Sequence, residues 1–125
     1  MNSDCVFCNL TTDRVEIQNE LAIGFTDAFP VTPGHRLVIP KRHVKDYWEL
    51  SSEERDACHW LLVAFRDLIS SQEPRVTGFN IGLNAGTSAG QTVFHCHFHL
   101  IPRRSGDVPD PRGGVRHLIP GKGAY

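Results

Sequence analysis

The sequence predicts an α+β domain, and three observations carry the expectation. Several stretches alternate apolar and polar residues at every second position, one long stripe repeats at helical spacing, and 40% of the 125 residues are hydrophobic, enough for a chain of this length to bury a core of its own. One domain over residues 1–125 is expected, with a folded core over about 5–104 and an irregular tail over 105–125. A formal net charge of −1 leaves no broad electrostatic footprint for nucleic acid or for a membrane surface, so the expected partner is a small molecule. The longest apolar run, residues 60–65, is far short of the roughly 20 residues needed to span a bilayer, and Met1-Asn2-Ser3-Asp4 has no basic-then-apolar leader. Four cysteines, one close pair and two isolated inside apparent elements, do not form a secreted disulfide framework; reduced thiols and a cytoplasmic setting are expected.

Taken in order, Cys5-Val6-Phe7-Cys8 comes first. Its two-residue gap lets both sulfurs turn toward a common centre, as half of a tetrahedral zinc site requires; unpaired thiols are the next reading, and a redox pair lacks the preceding strand and following helix it needs. Residues 14–17 and 21–26 alternate weakly around Gln18-Asn19-Glu20, which predicts a hairpin with a short polar turn. Asp27 closes the second strand, as a turn carboxylate or as a binding group, and the two prolines and glycine of residues 28–34 mark a loop. His35-Arg36-Leu37-Val38-Ile39-Pro40 reads as a short strand ended by proline, followed by the basic Lys41-Arg42 and His43.

Ser51-Ser52-Glu53-Glu54 has the capping-box form and opens a helix ending near Ser71. Its predicted core stripe is Ala57, Trp60, Leu61, Ala64, Phe65, Leu68 and Ile69, with Cys58 and His59 on the flank. Residues 78–84 alternate with Phe79, Ile81 and Leu83 to one side and Asn80, Gly82 and Asn84 to the other. The small residues 85–90 then form a loop whose amides can approach an anion. In the tail, Val115, Leu118 and Ile119 are able to pin the chain to the body or to a partner subunit.

The stretch the rest is organised around is residues 91–101, in which His95, His97 and His99 recur at every second position. In an extended strand these imidazoles share one face while Cys96, Phe98 and Leu100 point into the core. The outer pair lies roughly 13 Å apart at about 3.3 Å per residue, so one metal ion cannot readily take all three. A row of imidazoles suits an elongated anionic substrate such as a phosphate ester. An imidazole with a pKa of about 6.5 keeps a free lone pair near neutral pH and attacks phosphorus directly, dividing one displacement into two. His97, at the centre, is the best-placed nucleophile. Two rivals stand beside this reading: a zinc hydrolase with His95 and His97 on the metal, and a binding or structural zinc module without turnover.

His95-Cys96-His97-Phe98-His99-Leu100-Ile101 resembles the signature of the histidine-triad (HIT) family, His-φ-His-φ-His-φ-φ with φ apolar. Asp27, the segment Pro33-Gly34-His35-Arg36-Leu37-Val38-Ile39-Pro40-Lys41, Asn84 and Gly90-Gln91-Thr92-Val93 follow the family's order and spacing. The resemblance implies a five-stranded antiparallel sheet with one long helix and a short second helix, a homodimer, and nucleotidyl hydrolase or transferase activity. It implies that His97 attacks the α-phosphate of an adenosine-type nucleotide while His35, His95 and His99 flank it. Asn84, Gly90, Gln91 and Thr92 would hold phosphate oxygens or the leaving group, Asp27 the ribose, and Val6, Phe7 and Phe25 the base. No cofactor is implied for catalysis. Zinc-bearing members pair a Cys-x-x-Cys with two histidines matching His43 and His95, so Cys5, Cys8, His43 and His95 would form a closed structural zinc site. Thr92, and a tail without Trp-Pro-Pro-Gly, look closer to the dinucleoside-polyphosphate hydrolases than to the nucleoside phosphoramidases.

Overall fold

The computed structural model describes residues 4–124. Five antiparallel strands, β1 (Val15–Gln18), β2 (Ala22–Thr26), β3 (Arg36–Pro40), β4 (Val76–Gly82) and β5 (Phe98–Arg104), form one sheet in the order β1-β2-β3-β5-β4. A 21-residue helix, α1 (Ser52–Gln72), is the long helix expected, and the other helical elements of the described residues are short 3-10 turns, with Tyr47–Glu49 directly before it. Among the described residues no helix is long and apolar enough to cross a membrane. The hairpin turn is built on Asn19, whose Oδ1 accepts from the amides of Leu21 and Ala22 and whose Nδ2 donates to the Ala57 carbonyl, tying β1–β2 to the helix.

Alternation along the strands divides the apolar residues between the two faces. Ala22, Val38, Cys96, Phe98 and Leu100 pack with Cys58, Leu61, Leu62, Phe65 and Ile69 of α1 in the main core. Phe25, Leu37 and Ile39 form a second cluster, over which Phe7, Leu10 and Ile23 lie. Burial pushes the Cys58 and Cys96 thiols up to about 12, so both behave as small hydrophobes.

The helix is rotated relative to the stripe expected from its sequence. Trp60 is 63% exposed and Leu68 lies at the surface, whereas Cys58 and Leu62 are buried. Two anchors set the rotation. A Cβ at Gly24 would stand 2.5 Å from the Phe65 ring, so Phe65 nests where only glycine leaves room. At the first turn Glu54 is buried because it does two things at once. It completes the capping box with Ser51 and takes both Arg42 hydrogen bonds, at 2.7 and 2.9 Å.

The histidine segment also departs from a continuous strand. β3 ends at Pro40 and β4 pairs only as far as Gly82 opposite His99, so the ladder of β5 begins at Phe98. Residues 95–97 run beside the chain after β3 instead, with the Cys96 amide on the Val44 carbonyl at 2.7 Å. Alternation survives there, with Cys96 inside and His97 half-buried on the other side.

Hydrogen bonds from Arg42 hold the Glu54 carboxyl down at about 2, below its usual 4.5. The folded state thus binds this proton less readily than the unfolded chain, and the stabilisation is complete above pH 4.5 and lost as pH falls through 2. Glu54→Gln is expected to cost about 1–2 kcal/mol at pH 7. Denaturant titrations at pH 7 and near pH 2 should show the gap between the two proteins closing in acid; a gap independent of pH would contradict the role given to the pair.

Candidate active site

The site is built on the sheet face that α1 does not cover, and its tautomers follow from fixed backbone partners. The Val31 amide can only donate, and it lies 3.1 Å from Nδ1 of His35. His35 therefore carries its proton on Nε2, 2.9 Å from Nδ1 of His99 and 3.4 Å from the Asp27 carboxylate. His99 accepts at Nδ1 and keeps a proton on Nε2. Burial first, then the neighbouring rings of His97 and His35, pushes His99 down to about 4, so it is a neutral donor at physiological pH. Burial also lowers His35, against the opposing pull of Asp27. Nδ1 of His97 lies 2.9 Å from the His95 carbonyl, which can only accept, so the proton sits on Nδ1 and the lone pair on Nε2.

His95 does not share this cleft. It is 1% exposed, and its Nε2 donates to the Pro40 carbonyl at 2.8 Å, leaving the Nδ1 lone pair 3.5 Å from the sulfurs of both Cys5 and Cys8. Nδ1 of His43 is 3.2 Å from the Cys8 sulfur, and the ligand atoms of Cys5, Cys8, His43 and His95 all lie within 4.8 Å of one another. Two thiols and two inward lone pairs fit a four-coordinate zinc ion with no position left for water. Asp27, His35 and His99 also bring ligand atoms within 4.8 Å of one another. That group does not fit a metal ion, because the Val31 amide leaves Nε2 of His35 protonated and without a lone pair. The same test thus accepts one cluster and rejects the other.

The remaining expected residues divide. Phe7, carried between the two cysteines, meets the His97 ring edge-on at 5.1 Å and the Phe25 ring at 5.5 Å. Phe25 is fully buried and forms the floor beneath Phe7 rather than a ligand-facing wall. Val6 is exposed and lines a separate cleft with His43 and Thr92, the latter also exposed. Asn84 and His99 border one cavity.

Gln91 is buried with its side chain turned inward. Its Oε1 accepts from the Gly86 amide and its Nε2 donates to the Lys45 and Val93 carbonyls, so it braces the loop instead of reaching into the cleft. Both Gly86 and Gly90 have positive φ. The amides of Gly86, Ala89, Gly90 and Gln91 close on the loop itself, which removes them from the anion cradle the loop's composition suggested. Sequence reasoning missed the backbone groups of Val31, Pro40 and His95 that set the tautomers, for which side-chain identity carries no signal.

Fold and site together define a histidine-row cleft beside a closed Cys2His2 cluster. The chain belongs to the histidine-triad family: the HIT domain model matches residues 10–106, and this is a family of nucleotide-binding and nucleotide-hydrolysing proteins. An uncharacterised HIT-like protein of Saccharolobus solfataricus is 38% identical over 112 residues, covering 85% of this chain and 78% of that protein. Among solved structures, a HIT family protein from Bacillus anthracis has a TM-score of 0.76 at 35% identity, covering 85% of this chain and 77% of that one. A zinc-bound histidine triad family protein from Mycobacterium smegmatis has a TM-score of 0.74 at 34% identity, with 86% and 84% covered. The diadenosine triphosphate hydrolase of Plasmodium falciparum, solved with cyclomarin A, has a TM-score of 0.70 at 34% identity, with 81% and 68% covered.

Elemental analysis of metal-replete protein is expected to find one zinc per chain. Cys8→Ser should lose it and melt about 5 °C or more lower, while His97→Ala retains it. Full zinc content in the Cys8 variant would remove the cluster as the binding site.

Proposed function

We propose that the chain is a nucleotidyl hydrolase acting at the α-phosphate of adenosine-type nucleotides, with dinucleoside polyphosphates as the preferred class. The observation that carries this is the His95 carbonyl on Nδ1 of His97, which leaves the Nε2 lone pair directed away from the backbone. In the first step that lone pair forms a bond to the α-phosphorus as the bond to the leaving group breaks and its electron pair departs with that group. The positive charge gained by the ring rests on Nδ1–H, where the His95 carbonyl stabilises it. Water then attacks phosphorus and gives up a proton to solvent as the N–P bond breaks and its electron pair returns to His97, releasing nucleoside monophosphate.

His99 donates from Nε2 to a phosphate oxygen and is held in that tautomer by His35. Asn84, which borders the same cavity as His99, flanks the phosphate. Asp27 uses one oxygen on the Phe29 amide and retains lone pairs for both ribose hydroxyls. Phe7 covers the base. Zinc, when bound by Cys5, Cys8, His43 and His95, supplies a cross-link between the N-terminus and the sheet. The name of the Plasmodium relative, a diadenosine triphosphate hydrolase, favours the dinucleotide class over the phosphoramidates.

Incubation with labelled diadenosine triphosphate followed by an alkaline quench is expected to trap label on histidine. His97→Ala should abolish the adduct and lower kcat/KM by about 10³-fold or more. Turnover without an adduct, or an adduct surviving in the variant, would sink the covalent route.

We further propose a homodimer through the outer face of α1, where Trp60, Ala64 and Leu68 are exposed at i, i+4 and i+8. Sedimentation should give a dimer for the native chain and a monomer for Trp60→Glu; a native monomer would refute the assignment.

A further inference from the structure

We propose that the separate cleft lined by Val6, His43 and Thr92 is a docking site for a small thiol-bearing chelator, which exchanges zinc with the Cys2His2 cluster by taking the place of His43. The proposal rests on the zinc reading of that cluster and not on the hydrolase reading. Asp4, Cys5, Val6, His43, Thr92 and Phe94 border a space of about 340 Å³, room for a molecule of amino-acid size. Cys5 and His43 belong to both the cluster and the wall of the cleft, whereas Cys8 and His95 do not line it.

The four ligands are not held alike. His95 is 1% exposed and its Nε2 is tied to the Pro40 carbonyl at 2.8 Å, the kind of outer partner that fixes a ligating imidazole. Cys5 is also buried, and its sulfur accepts from the Cys8 amide at 3.4 Å. His43 is half-buried and meets the cluster through Nδ1, 3.2 Å from the Cys8 sulfur. Among the described residues its Nε2 has no hydrogen-bond partner. Of the two imidazoles, the one that stands against open space is thus the one without an outer anchor, and it is the arm that yields first.

The lining selects the chelator. It contains no lysine or arginine, and Asp4 is its acidic residue, so a polyanion gains nothing there. Zinc favours a thiolate over most other donors, and an amine on the same molecule supplies a second. The incoming thiol gives its proton to solvent, and its sulfur bonds to the ion as the bond from Nδ1 of His43 breaks. That electron pair stays with the ring, which turns aside into the cleft. When the ion departs, the Cys5 and Cys8 thiolates each take a proton from solvent. Loading runs the same steps in reverse.

The test follows loss of radiolabelled zinc from the full chain into excess unlabelled zinc, with L-cysteine as the probe. Loss is expected to accelerate in proportion to cysteine, whereas S-methylcysteine, which has no thiol, leaves it unchanged. Val6→Trp and Thr92→Trp fill the cleft; each should keep one zinc per chain and slow the cysteine-driven loss by about tenfold or more. In the cobalt(II)-loaded chain, cysteine should raise the thiolate-to-cobalt charge-transfer absorption before the metal leaves, and do so less in both variants. A rate independent of cysteine, or equal to the native rate in both variants, overturns the route while leaving the zinc site in place. A native chain that holds no zinc ends the zinc reading and the route with it.

Discussion

A single hydrogen bond, from Nε2 of His95 to the carbonyl of Pro40, separates two chemistries that the sequence writes onto one row of histidines. It draws the His95 ring beneath the sheet edge and commits its other nitrogen to the thiols. The His95 carbonyl is left to accept from His97. Had residue 95 stayed in the ladder, three like rings would stand on one face with nothing to distinguish the ring that meets the thiols from the one that faces the cleft. The break in the strand at Phe98 is therefore what allows adjacent members of the row to differ in surroundings, His95 among the thiols and His97 at the cleft.

The cleft is organised before any ligand arrives. The Val31 amide fixes His35, His35 fixes His99, and neither ring has tautomeric freedom to lose on binding. Gln91 spends both its amide protons on Lys45 and Val93, locking the loop that faces the row. Preorganised donors of this kind need no rearrangement as charge develops on a phosphate. The arrangement has a cost in acid. The folded value of His99, about 4, lies below the ordinary 6.5, so between those values the unfolded chain takes up the proton more readily and stability rises with pH.

Much of this was legible in the sequence, for reasons specific to each element. Period two in residues 95–101 correctly separates Cys96, Phe98 and Leu100 from His97 and His99, because alternation holds even where the ladder has ended. Ser51 and Glu54 announce the helix start, but the pattern does not reveal that Glu54 also holds Arg42, a contact 12 residues back in the chain. The rotation of α1 is not readable from its own sequence because Trp60 and Leu68 are as apolar as the residues that do pack. What decides the matter is Gly24, a residue on another element that matters by having no side chain. The motif around Gln91 points to a ligand contact, yet three hydrogen bonds turn its side chain into a brace.

The placing of Phe7 between Cys5 and Cys8 has a consequence of its own. Its ring is an edge-on neighbour of His97, and its backbone is suspended from two sulfur atoms. Oxidants, competing soft ions and changes in zinc supply act on those sulfurs rather than on the cleft. On the proposed reading each would nevertheless reach the His97 ring through one short lever, so the amino end of the chain is where thiol and metal status would act on the proposed nucleotide chemistry.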